Sequence, residues 1–493
     1  MVDAAAPTAD RAASPTTDAA AGIGARLASL EISGAWLVDP ATGREGLGEL
    51  VVRDGIIEAV TWLDGADAHG IDDGGIVVAP GFVDLHAHFR EPGFEDAETI
   101  ASGSAAAAHG GFTTVCLMPN TSPPVDQAGV LAGIRAAALR SGSPIEILVY
   151  GAVTAGRRGE TLAALGDLAD AGAVGFSDDG APVRSSEVLR NALLYAAMLG
   201  RAIVDHPEDP SLTAGAEANE GLVASVLGLK GWPAAAEESA VARDIAVLAD
   251  VLADEPRARL HLTHLSLPGS IERVRQARAA GLPVTCDVTP HHLALSDEWL
   301  AGARRFAWAG CDGDASGDPW RDRAITAEPY DPALRVNPPL RRPEDAVGCL
   351  RALADGTVDA IATDHAPHTS VDKDVEFGLA ANGISGIETA LGLVLEAVAA
   401  GRLTLLRAVE LLTVGPARVL GEQLTRPVGL VEGQPADLVV FDRGATWQVT
   451  PEALRSRGKN SPLLGRELRG RVLLTVARGR IAHADDEFAE RVD

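Results

Sequence analysis

GFVDLHAHF (81–89) decides the fold. It opens on glycine, runs through apolar residues and closes on polar ones, with His86 and His88 two positions apart. Side chains alternate faces along a strand, so the two imidazoles share one face, the face that points into a barrel. A strand buried on both sides reads as a near-continuous apolar run. Seven further runs of this kind follow: GFTTVCLMP (111–119), IEILVYGAV (145–153), GAVGFSDD (172–179), RAIVDH (201–206), RLHLTH (259–264), LPVTCDVTP (282–290) and VDAIATDH (358–365). Helical stretches fall between most of them, among them DLADAG (167–172), EVLRNALLYAAMLG (187–200), SAVARDIAVLADVLA (239–253) and SIERVRQARAAG (270–281). Eight strands alternating with helices predict an α/β fold, a (β/α)8 TIM-type barrel over residues 81–420. A doubly wound open sheet is the alternative.

Polar residues are costly in buried strands unless they have a task. Here they gather at C-terminal strand ends: His86 and His88, Asp178 and Asp179, His206, His264, then Asp364 and His365. That rim is where barrel enzymes place their chemistry. Imidazoles and carboxylates converging there suit a zinc-type centre, and four histidines with two acids are enough for two metals sharing a carboxylate. A lone H-x-H is a weak signal; five strand ends bearing ligand-type residues are a strong one. His291 and His292, after strand seven, read as satisfied structural histidines, and His365 as packing. His109, His261 and His483 carry no motif, and neither does His69. Cys116 and Cys286 read as small core residues.

Working outward, LEISGAWLVDP (30–40), LVVRDGIIEAV (50–60) and GGIVVAPG (74–81) read as short strands between turns. GQPADLVVFDR (433–443) and RGRVLLTVARGRIAH (469–483) have the same character. Neither end has enough strands to bury a core, so residues 30–80 and 421–493 are expected to combine into one small β-sandwich. Residues 1–29, rich in Ala, Thr, Ser and Asp, read as a disordered tail without the basic start and apolar core of a secretory signal. Residues 300–335 read as an inserted surface loop, over the rim or at an assembly contact.

The chain has 493 residues, 42 basic and 69 acidic, for a net charge of −27. Such an excess of acid argues against nucleic acid or an anionic membrane surface as partner. An anionic substrate must then be met by a few well-placed cations. No apolar stretch reaches the roughly 20 residues of a membrane span. Four scattered cysteines without a C-x-x-C predict free thiols and a cytoplasmic location.

PGFVDLHAHFREPG (80–93), GGFTTVCLMPNTSP (110–123), FSDDG (176–180), VTPHHL (288–293), NPPLR (337–341) and IATDHAPHT (361–369) resemble, in order, the motifs of the amidohydrolase superfamily and within it the dihydroorotase family. FREPG is shared with allantoinase and hydantoinase relatives; TPHHL, NPPLR and ATDHAPH point to dihydroorotase. The resemblance implies a cytoplasmic hydrolase of pyrimidine (UMP) biosynthesis. Its reaction is the reversible cyclisation of N-carbamoyl-L-aspartate to L-dihydroorotate plus water. It implies two Zn2+ per subunit, one held by His86 and His88, the other by His206 and His264, with Asp179 as the bridge. Asp364 is then a ligand of the first metal and the acid/base that works with the metal-bound hydroxide. Substrate contacts are implied at His88, Phe89, Arg90, Asn120, Asn337, His368, Asn382 and Gly383. Asp178 is left a structural role. Many superfamily members bridge their metals with a carboxylated lysine; Lys230, Lys373 and Lys459 are the only lysines here, and none ends a fourth strand. The family further implies a homodimer and an association with aspartate transcarbamoylase. The alternatives are another cyclic amidohydrolase, allantoinase-like or hydantoinase-like, and an inactive scaffold subunit for that transcarbamoylase.

Overall fold

The computed structural model describes residues 14–17, 22–63 and 75–485. Its centre is a ring of eight parallel strands: Phe82–Ala87, Phe112–Leu117, Glu146–Val149, Gly175–Phe176, Ala202–Asp205, Leu260–Leu262, Val284–Val288 and Ala360–Ile361. Each lies inside one of the eight apolar runs. The first three strands pair in sequence, as do the last five. Single parallel bridges, Gly151 to Phe176 and Ala87 to His365, close the two remaining gaps. The ring therefore has no free edge, which makes it a barrel and excludes the open sheet.

The main helices follow the strands in turn: Ile100–His109, Ala128–Ser141, Leu165–Asp170, Ser186–Met198, Ala235–Val251, Pro268–Ala279, Pro343–Ala354 and Ala390–Ala399. Local sequence sets their ends. Thr99 and Ser102 form a reciprocal capping box at the first. Pro343, Glu344 and Asp345 start the seventh, where a missing N–H costs nothing and the helix dipole favours acids. Gly103 lets the first helix sit on the Phe89 ring, since a Cβ there would come within 2.6 Å of it.

Strands from both chain ends share one sheet, in the order Arg480–Ala484, Glu467–Ala477, Leu438–Gln448, Ile76–Pro80, Ser29–Asp39, Arg44–Arg53, Ile56–Trp62. Ser14–Thr17 pairs with the start of Ser29–Asp39. The sheet wraps round until distant parts meet. Ile57 N–H donates to Gln434 O at 3.0 Å and Leu27 N–H to Gly479 O at 2.9 Å. Leu30, Ile32, Leu50, Val52, Val78, Leu438, Val440 and Val476 form a core of its own. This is the β-sandwich built from both ends.

Residues 1–13 and 18–21 lie outside the described residues, as do His69 and residues 486–493. The described part of the expected tail is not free chain: Ser14–Thr17 is a strand and Leu27 is fully buried in the sandwich core. Residues 300–335 are more than a surface loop. Trp308 is buried and stacks on Phe306, ring centroids 4.8 Å apart, and Arg305 joins Glu298 at 2.8 Å to Asp322 at 2.9 Å. Their far end meets the loop after strand eight, where Lys373 Nζ donates to Pro332 O at 3.0 Å. Among the described residues, no helix is long and apolar enough to cross a membrane.

Candidate metal centre and substrate site

The barrel brings six predicted ligands from five strand ends to one point. His86 Nε2 lies 3.2 Å from His88 Nε2 and 3.2 Å from Asp179 Oδ2. His88 Nε2 is 3.1 Å from Asp364 Oδ1. On the other side, His206 Nδ1 is 2.9 Å from His264 Nε2, and they lie 3.5 and 3.3 Å from Asp179 Oδ1. Asp179 thus turns one oxygen to each histidine pair. Nitrogens bound at about 2.0–2.1 Å around a tetrahedral zinc sit roughly 3.3 Å apart. The observed separations match that edge, and all six residues are buried. Two sets, His86–His88–Asp364 and His86–Asp179–His264, have ligand atoms close enough to hold an ion. The donor set, imidazoles with carboxylates, fits a divalent metal.

The electrostatics agree. Burial opposes charge on His86, but the carboxylates of Asp179 and Asp364 overrule it and raise its pKa to about 9. His206, likewise buried, is carried to about 10 by Asp179 and Glu208. Burial would raise Asp179 and Asp364; the surrounding imidazoles hold both below the usual carboxylate range. His88 goes the other way, lowered by burial, so the preference for positive charge is concentrated at His86 and His206, where the carboxylates converge.

The ligands are held from behind. His86 Nδ1 is 2.8 Å from Thr263 Oγ1, which donates to Asp287 Oδ2 at 3.2 Å. Asp287 also accepts from His264 N–H at 2.6 Å and contacts His261 Nε2 at 2.7 Å. His88 Nδ1 faces Asn120 Oδ1 at 2.8 Å, and His206 Nε2 faces Glu208 Oε2 at 3.0 Å. Such contacts fix the tautomer that offers the other ring nitrogen to a metal. Asp178, as expected, accepts from the Val153 and Thr154 N–H groups. Arg90, His264 and Asp364 have φ of +61°, +41° and +46°. L-residues resist that region at a cost of about 1–2 kcal/mol each, a strain that concentrates where side chains must be aimed.

The expected substrate contacts line up unevenly. Arg90 Nε donates to Pro367 O at 3.0 Å, and its Nη2 lies 3.2 Å from His368 Nε2. That imidazole nitrogen is also 2.7 Å from Asn382 O. Burial, with Arg90 beside it, lowers the His368 pKa to about 3, so the ring is neutral. Its Nε2–H then donates to Asn382 O and leaves the guanidinium Nη2 for an anion. Gly383 has φ +142°, and a Cβ there would stand 2.6 Å from Ala366 Cβ, so glycine is required. Asn337 Nδ2 donates to Glu208 Oε2 at 2.9 Å. The Phe89 ring packs against Gly103 and His365, away from the rim cluster, so a contact from this residue would come from its backbone.

His292 is satisfied by Thr289 and Pro338 O, whereas His291 Nε2 is buried with no hydrogen-bond partner among the described residues. His365 Nδ1 accepts from Gly386 N–H at 3.2 Å. Glu208, Thr263, Asp287 and Arg157, which donates to Asp179 O, escaped the sequence reading. Asp287 had a signal: a carboxylate in the middle of an apolar run. The lysines are committed elsewhere, with Nζ of Lys230, Lys373 and Lys459 on the carbonyls of Ala214, Pro332 and Leu454.

Comparison with known proteins identifies the family. Residues 75–265 match the Dihydro-orotase-like family model and residues 333–483 the Amidohydrolase family model. A protein named dihydroorotase from Pelotomaculum thermopropionicum is 44% identical over 459 residues, 92% of this chain and 99% of its own. One from Anaeromyxobacter dehalogenans is 46% identical over 461 residues, 93% of this chain and 98% of its own. Among solved structures, L-hydantoinase from Arthrobacter aurescens superposes with a TM-score of 0.73 at 25% identity, covering 92% of this chain and 95% of that one. Likeness of this extent along nearly the whole length settles the family: the chain belongs to the dihydroorotase family of the amidohydrolase superfamily.

Proposed function

We propose that the chain interconverts N-carbamoyl-L-aspartate and L-dihydroorotate at the barrel rim, with two zinc ions held by His86, His88, Asp179, His206, His264 and Asp364. The observation that carries this reading is Asp179, with one oxygen on each histidine pair. When bound, the metals supply an activated water and a polarised ring carbonyl. The protein's own residues do the rest. Asp364, held as a carboxylate, takes a proton from the attacking water and passes it to the departing amide nitrogen. In ring closure it returns that proton to the leaving water. Arg90 presents a planar fork to the substrate carboxylate, with Asn120 and His368 beside it. Asn337 and the Asn382–Gly383 backbone complete the site.

The filled ligand set argues against an inactive scaffold. A homodimer, a cytoplasmic location and association with aspartate transcarbamoylase follow from the family resemblance and are tested by light scattering, fractionation and co-purification. The function is tested with a substrate panel. Turnover of dihydroorotate is expected, with hydantoin and allantoin left unchanged; the reverse pattern would sink the assignment.

A further inference from the structure

Residues 455–460 connect two strands of the small domain, Leu438–Gln448 and Glu467–Ala477, yet they bind the barrel rim. Two buried barrel carboxylates receive them. Glu388 accepts from the N–H groups of Arg455 at 2.6 Å and Ser456 at 3.0 Å. Glu98 accepts from Ser456 Oγ at 2.6 Å and Arg457 N–H at 3.2 Å. Gly458 then packs so tightly that a Cβ would stand 2.7 Å from Pro367 Cβ and 2.8 Å from both His368 N and O.

Asn460 uses its whole amide. Nδ2 donates to Ala366 O at 3.1 Å and to Gly383 O at 3.0 Å. Oδ1 accepts from His368 N–H at 2.8 Å, and Ser385 Oγ lies 2.9 Å from it. The first three are full hydrogen bonds, and the single Ser385 hydroxyl proton is shared with Gly458 O at 2.7 Å. They tie together the two loops that carry His368 and Gly383. The first of those loops also holds Arg90, through Pro367 O.

We propose that Asn460, delivered by the small domain, is a positioning residue for substrate: it fixes the His368 and Gly383 loops and, through Pro367, aims the Arg90 guanidinium. This rests on the reading of Arg90 and His368 as substrate contacts. Asparagine is the residue the geometry demands, because two carbonyls must meet donors while an N–H meets an acceptor. Aspartate has the same shape but sets oxygen against two buried carbonyls, which leaves them unpaired. The contact also gives the small domain a share in the chemistry, since its chain orders the barrel's substrate loops.

The test compares Asn460→Asp, Gly458→Ala, His368→Ala and the double variant Asn460→Asp/His368→Ala, measuring kcat, KM and bound metal for each. Asn460→Asp removes donors, and Gly458→Ala pushes the same loop while leaving every polar group in place. Both are expected to raise KM about tenfold, the scale of one lost hydrogen bond to a charge. kcat should stay within about threefold and metal content unchanged. In the double variant the KM effects should fall well short of multiplying, as they do for residues acting through one another. An unchanged KM in His368→Ala overturns the substrate reading itself. A raised KM there with unchanged KM in Asn460→Asp and Gly458→Ala overturns only the role of Asn460, as do fully multiplicative effects. Should Asn460→Asp fail to fold, Gly458→Ala and Ser385→Ala decide the question by the same KM criterion.

Discussion

Asp364 is assigned two tasks, ligand and proton carrier, and it sits at φ +46° where an L-residue is strained. The position is defined by its neighbours: His88 Nε2 at 3.1 Å on one oxygen, and imidazoles that keep it ionised. Asp364→Asn keeps the shape and removes the base. The variant is expected to fold normally and lose about 10²–10⁴-fold in kcat, the usual worth of a positioned acid or base; near wild-type turnover would dismiss the role. Arg90 acts on binding. Arg90→Ala should raise KM roughly 10–100-fold with a smaller change in kcat, from loss of a hydrogen bond to a charged group. Steady-state kinetics showing an unchanged KM would remove Arg90 from the carboxylate site.

At the scale of elements, the eight strands were legible because burial on both faces writes the same apolar run eight times, and the rim cluster of imidazoles and carboxylates because polar residues broke those runs at one end. The supporting contacts were not legible, since they join residues far apart in sequence. Glu208 is held towards His206 by Thr213, from the segment after strand five, and by Asn337, from the segment after strand seven, both on the same carboxylate. Its pKa, raised by burial and pulled back by His206, settles at about 2, so it is anionic. Glu208→Gln is expected to weaken metal binding about 10–100-fold while the other ligands stay in place, read by competition with a chelating dye. Protons and metal compete for the same nitrogens. His86 and His206 have pKa values raised to about 9 and 10, so each metal bound at neutral pH displaces a proton. Metal affinity of the stripped protein should therefore rise with pH through this window and level off above about 10; calorimetry showing a flat profile from pH 6 to 9 would contradict the geometry. Phe89 shows the limit of motif reading: it lies inside HFR, but period-two alternation sends its ring behind the strand.

The whole molecule joins two cores, and the chain ends that build the smaller one come together only through pairings such as Val78 with Val440. Sequence could assign strands to that domain but not the contact of residues 455–460 with the rim, which no local pattern encodes. The acidic surface takes on meaning here as well. Against a net charge of −27, a cavity of about 890 Å³ beside His368 is lined by Arg304, Lys373, Arg457 and Lys459, with Asp96, Asp331 and Asp374 among them.

Dihydroorotate is expected to turn over only when the six-residue cluster at the rim holds metal. The direct measurement is carbamoyl-aspartate formation from dihydroorotate before chelation, after it, and after zinc is returned, with bound metal determined in each sample. Activity should fall with the metal and recover with it, toward two ions per chain. Full activity in metal-free protein would contradict it.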